Sequence, residues 1–88
     1  MIKTTINQIT FEKIDAERVV IHFLALSKDY NDALRIAKKI GLGARKYHNK
    51  KFGGGIAFNV PFDSSGLEKL SNKIFAAIHA RKNPVLEA

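Results

Sequence analysis

The sequence has no cysteine and no tryptophan, only two prolines, and no acidic residue between positions 33 and 62. Without cysteine there is no disulfide to staple the fold, no thiolate for a metal and no sulfur nucleophile. That composition suits a reducing compartment, and a cytoplasmic location is expected. Long apolar runs are missing too. Val19–Ile21 and Phe23–Leu26 are parted by His22, whereas a spanning helix needs about 20 apolar residues. The opening Met1-Ile2-Lys3-Thr4-Thr5 lacks the apolar core of a signal peptide. No membrane insertion is expected.

What is present is a short, basic chain of 88 residues, 45% of them hydrophobic. That apolar share supports a folded core rather than disorder, and the length suits one domain of limited stability. The compact unit is expected over 1–84, with a loose tail at 85–88. The net charge of +7 is unevenly placed. Arg35, Lys38, Lys39, Arg45, Lys46, Lys50 and Lys51 fall in the acid-free stretch, while eight bases and all eight acids lie outside it and cancel. A charge run is commonly just a solvated face. Complete segregation gives equal weight to a surface that attracts phosphates or an acidic protein.

Hydrophobic periodicity supplies the fold class. Residues 2–12, rich in β-branched and aromatic side chains, read as one strand whose apolar phase slips between Ile6 and Ile9, as at a bulge. Residues 13–17 read as a polar turn, with Glu12, Asp15 and Glu17 as solvated charge around it. Residues 18–26 read as a central strand, apolar on both phases. A helix over 29–40, capped by Ser27 or Asp29, places Tyr30, Ala33, Leu34, Ala37 and Ile40 on one face and ends at Gly41. Arg35, Lys38 and Lys39 fall on its opposite face, as any amphipathic helix on a sheet requires. Residues 45–60 read as a hairpin with a Gly53-Gly54-Gly55 turn or a glycine bulge at its bend, and Pro61 ends it. A last helix over 65–82 begins after Asp63, with Asp63 and the capping box Ser65-x-x-Glu68 as its start, and buries Leu67, Leu70, Ile74, Ala77 and Ile78. The expectation is an α+β two-layer sandwich: an antiparallel four-stranded sheet with two helices, in the order ββαββα. One helix on each face would explain the two-sided strand equally well.

The segment Arg45-Lys46-Tyr47-His48-Asn49-Lys50-Lys51-Phe52 is the candidate site. Its cations can neutralise phosphates, Tyr47 and Phe52 can stack on unpaired bases, and Asn49 can bond a base edge. The glycines after it would let backbone amides approach a phosphate. The competing reading is a solubilising hairpin, since lysine on a strand edge also blocks aggregation. Arg35, Lys38 and Lys39 form a secondary basic face. The triglycine lacks P-loop spacing, and Gly41-Leu42-Gly43 follows a helix rather than a strand, so no nucleotide cofactor is expected. His22, His48 and His79 have no ligand spacing, so no metal is expected. His22 reads as a core or edge histidine with a satisfied ring nitrogen.

No triad can be assembled, and an enzyme is not expected. The one catalytic alternative is a metal-independent ribonuclease using His48, Tyr47, Arg45 and Lys46. The leading expectation is a non-enzymatic protein whose basic segment binds nucleic acid or a nucleoprotein complex. The main alternative is a phage or mobile-element inhibitor or effector that docks on an acidic surface of host machinery. Oligomeric state is left open, because an antiparallel sheet leaves edges that can pair.

Overall fold

The computed structural model describes residues 2–50 and 53–82. The tail at 85–88 and the site positions Lys51 and Phe52 lie outside them. Five strands and two helices follow one another: β1 (Lys3–Ile6), β2 (Ile9–Asp15), β3 (Arg18–His22), α1 (Tyr30–Ile40), β4 (Arg45–Asn49), β5 (Gly53–Phe58) and α2 (Ser64–Lys82). The sheet order is β1-β2-β3-β5-β4, with every neighbouring pair antiparallel. β3 and β4 are therefore parallel, joined by the α1 crossover, with β5 inserted between them.

The α+β class, the antiparallel sheet and the two helices stand as expected, but the sheet has five strands rather than four. The phase slip between Ile6 and Ile9 is a complete reversal, not a bulge. Asn7 and Gln8 both have positive φ, 53° and 69°, the geometry of a two-residue type I′ turn. It sets Ile6 opposite Ile9 and Thr4 opposite Phe11. Asn7 also donates from Nδ2 to Ser71 Oγ on α2 at 2.9 Å, pinning the turn to the helix layer.

Two further boundaries differ from the sequence reading. β2 continues through residues 13–15 with a register shift between Lys13 and Asp15. Glu12 is consequently not loop charge but a buried side chain inside β2. The strand expected over 18–26 stops at His22, and Phe23–Ala25 form a 3-10 turn. His22 ends it by accepting the Leu24 N–H on Nδ1 at 3.1 Å, so the apolar residues that follow wrap under α1 instead of extending the sheet.

Both helices lie on one face. Ala33, Ile36 and Ala37 of α1 and Leu67, Leu70 and Ile74 of α2 share a single core with Phe11, Val19, Ile21, Ile56 and Phe58. The alternative of one helix on each face is set aside. The other phase of β3 is buried without belonging to that core. Val20 pairs with Ala57 and Glu12, and all three side chains are buried on the face away from the helices. α1 lies beside β4 and β5, and α2 beside β1.

The helix starts use carboxylates. Asp29 caps α1 by accepting from Asn31 N at 2.8 Å and Asp32 N at 3.3 Å. Asp63, which directly precedes α2, receives the Gly66 N–H at 2.6 Å at the start of that helix. Within α1, Ile36 takes the core position and Leu34 is only half-buried.

These placements separate three substitutions. Ile74→Ala should lower unfolding free energy by about 2–5 kcal/mol through an unfilled cavity. Leu34→Ala should cost about 1 kcal/mol or less, as at a partly exposed position. Gln8→Gly should raise stability by about 1 kcal/mol, because glycine relieves the left-handed conformation. Urea denaturation of the three variants checks the set. A larger loss at Leu34 than at Ile74 would reverse the assignment of the buried face.

Candidate anionic-partner surface

The basic strand β4 is an edge of the sheet, paired only with β5. Its register splits the candidate residues between two faces, because alternate side chains point oppositely. Arg45 sits opposite Ala57 and Tyr47 opposite Gly55, on the face away from the helices. Lys46 sits opposite Ile56 and His48 opposite Gly54, on the helix side. The residues singled out from sequence therefore form a two-sided ridge. Lys46, His48 and Lys50 are exposed, and Arg45 and Tyr47 are half-buried. The side chain of Asn49 lies outside the described residues.

Arg45 is engaged within its own hairpin region. Its Nη1 donates to Gly43 O at 3.0 Å and Asn59 Oδ1 at 3.1 Å. Gly41, Leu42 and Gly43 all have positive φ, turning the chain from the end of α1 into β4, and Asn59 N donates to Leu42 O at 2.7 Å. The Gly-Leu-Gly segment thus has a local structural role.

At the end of β3 next to α1 a column forms that no sequence spacing announced. The rings of His22 and Phe23 stack with centroids 5.2 Å apart, and Phe23 stacks on Tyr30 at 5.0 Å. Lys46 Nζ lies 5.8 Å from the Tyr30 ring centroid, a cation–π distance. Tyr30 crosses to the sheet by donating its hydroxyl to Gly55 O at 2.6 Å. The sequence clue was the pair of aromatics flanking the turn into α1, but only the β3–β5 and β4–β5 registers together bring Lys46 to them.

The triglycine does not mark the bend of the hairpin. Gly53, Gly54 and Gly55 lie inside β5, paired with Asn49, His48 and Tyr47. A Cβ at Gly54 would fall 2.9 Å from Tyr30 Cε2, and one at Gly55 would fall 2.8 Å from Val20 Cγ2 and 3.1 Å from Ile21 O. Both glycines make room for neighbours on opposite faces of the sheet.

The secondary basic face is on the exposed side of α1, where Arg35, Lys38 and Lys39 project. Arg35 forms an ion pair with Asp32, which also accepts from Ser27 Oγ at 2.8 Å and is buried. The acid nearest the basic stretch is therefore turned inward. Elsewhere, Asp15 accepts from Arg18 Nε at 2.7 Å and from Glu17 N at 2.9 Å. The Arg18 hydrogen bond, chiefly, holds the Asp15 carboxyl below its ordinary range and raises Arg18 above its own. Arg18 is thus matched by an acid, whereas Lys38, Lys39 and Lys46 have no acidic partner among the described residues. Among the described residues, no group of three histidines or carboxylates is placed to hold a metal ion, and no helix is long and apolar enough to cross a membrane.

Residues 3–83 match the family model of the Staphylococcus phage terminal repeat-encoded protein TreK. The chain belongs to this family. A phage origin accords with the expectation of a phage or mobile-element protein. Neither the curated proteins nor the solved structures offer a match. For this TreK-family chain, the basic ridge therefore has to be read from its own chemistry.

The glycines offer a direct check of that reading. Gly54→Ala and Gly55→Ala should each lower stability by about 1–3 kcal/mol through overpacking. Gly55 should be the worse, since backbone oxygens cannot step aside. Unchanged denaturation midpoints would show that these positions are free for a ligand rather than filled by neighbours.

Proposed function

We propose that this phage protein is a non-enzymatic binder whose α1–β4 flank engages nucleic acid in the cytoplasm. One observation carries the reading: α1 lies beside β4, so the acid-free stretch of sequence becomes one flank of the fold. Lys38 and Lys39 are exposed on the helix, Lys46 on the edge strand and Lys50 beyond it, and the bordering Asp32 is buried. Such a flank suits the phosphate backbone, which needs cations without a fixed pocket. Alternation along β4 supports binding over catalysis. It directs His48 and Lys46 to the face opposite Tyr47 and Arg45, so the four groups named for a ribonuclease are divided between two surfaces.

The test is titration of single- and double-stranded oligonucleotides across salt concentrations. Counterion release by four to seven contacts predicts a log K against log salt slope of about −3 to −6. Lys46→Glu with Lys50→Glu should flatten the slope and weaken all sequences alike, in protein shown by circular dichroism to stay folded. Tyr47→Ala should cost roughly 1–3 kcal/mol on single strands and much less on duplex if its half-buried ring stacks on bases. An affinity and salt slope untouched by the double reversal would reduce the edge cations to protection against aggregation. The second reading, an effector that docks on an acidic host protein, draws support from phage-family membership and from the groove described next.

A further inference from the structure

A groove of about 790 Å³ runs between α1 and α2 on the outer side of the helix layer. Its α1 side is formed by Arg35, Ile36, Lys39 and Ile40, and its α2 side by Lys73, Ala76, Ala77 and Ala80. The spacing 73, 76, 77, 80 is one helical stripe, and three alanines keep that lip low, so the helices meet below it without filling it. The floor is apolar, while both lips carry cations. Among the described residues, no carboxylate lines the groove. Arg35 is partly satisfied by Asp32. Lys39 and Lys73 are exposed and have no acidic partner among the described residues.

We propose that this groove is a docking site for an acidic amphipathic helix of a partner protein. The proposal goes beyond nucleic-acid binding and does not depend on it. Helix-in-groove recognition needs an apolar trough that takes side chains at i, i+3, i+4 and i+7. From residue 73 to 80 the trough is about 10 Å long, or about two turns of a partner helix. Ile36, Ile40 and Ala77 would receive the apolar stripe, and carboxylates flanking it would meet Lys39 on one lip and Lys73 on the other.

The charge pattern excludes the competing occupants by chemistry. A second copy of a chain with net charge +7 is repelled as a whole, and face-to-face pairing of two such grooves would set the same lysines against each other. Nucleic acid would find an apolar floor with no aromatic ring to stack on. A small molecule would find none of the buried polar groups that orient ligands in pockets.

The experiment is chemical-shift mapping on the full chain, using a designed peptide of roughly 16 residues with Leu on one helical stripe and Glu elsewhere. A scrambled peptide of equal composition and a single-stranded oligonucleotide serve as controls. The amphipathic peptide should bind saturably and shift Ile36, Ile40 and Ala77. The scrambled peptide should bind about tenfold more weakly or worse. Ala76→Glu with Ala80→Glu alters two exposed positions and adds repulsion inside the groove. It should abolish peptide binding while weakening oligonucleotide affinity far less, by about tenfold or under, since Lys39 is the one flank cation in the groove and Lys38, Lys46 and Lys50 lie outside it. Equal binding of the scrambled peptide would overturn the proposal, because net charge alone would then be at work. Shifts confined to β4, or indifference to the double substitution, would overturn it too. So would a dimer by sedimentation whose contacts map to the groove. Loss of oligonucleotide binding through β4 substitutions, with peptide binding retained, would defeat only the nucleic-acid reading.

Discussion

The antiparallel pairing of β3 with β5 is the constraint on which the other features rest. It sets Val19 against Phe58 and Ile21 against Ile56, joining the N-terminal β1–β3 meander to the α1–β4–β5 unit with their largest core side chains side by side. The same pairing forces β4 to the outside. Because β5 occupies the place next to β3, the strand that follows α1 can pair on one side only. The most basic segment of the chain is therefore a sheet edge by topology, and the helix preceding it must lie alongside. Gly55 is where this pairing is tightest, with Val20 on one side and the backbone oxygens of Ile21 and Tyr47 within 3.3 Å of where a Cβ would sit.

Much of this was legible in the sequence. Both helices show the 3.6-residue period within one residue of their observed bounds, and the β4–β5 hairpin shows the two-residue period. The failures share a physical origin, in that apolar pattern reports burial more directly than backbone conformation. Ile6 and Ile9 are out of phase because the chain reverses between them. The turn uses Asn7-Gln8 at positive φ, without the glycine that usually marks such a turn. Phe23–Leu26 is as apolar as a strand, yet Phe23–Ala25 form a 3-10 turn in which Phe23 and Ala25 pack against the core, Leu26 enters it and Leu24 is exposed. Glu12 followed the opposite course. A carboxylate near a predicted turn reads as solvated, but the register places it opposite Val20, where it is 2% exposed.

The candidate surface was half legible. Charge segregation survives folding, because α1 and β4 are neighbours in space as well as in sequence. What sequence could not give was which side of the sheet each residue takes. Arg45 and Lys46 are adjacent in the chain, yet one bonds Asn59 and the other lies over Tyr30. The stacked column from His22 through Phe23 and Tyr30 to Lys46 requires three segments to meet, and the groove between the helices depends on their relative rotation. Neither has a local signature. Even the glycines changed meaning: a triglycine after lysines resembles a phosphate-approach loop, whereas two of its members are sites of close packing.

The cations themselves differ in how much structure already accounts for them. Charge on β4 has a sufficient reason in the edge alone, since lysine and arginine there discourage pairing with another chain. Lys38 and Lys39 lie in the last turn of α1, where the helix dipole favours positive charge. Arg35 balances the buried Asp32. Lys73 has no such account: it lies in the middle of α2, far from either helix end, with no acidic partner among the described residues. It faces Lys39 across an apolar trough whose α2 side is made of alanine. An exposed lysine is ordinary, but lysines on both lips of an acid-free apolar groove leave a desolvated anion-bearing surface as the complementary chemistry. In a chain that belongs to a phage family, that complement is more naturally supplied by another molecule, since no described acid lines the groove.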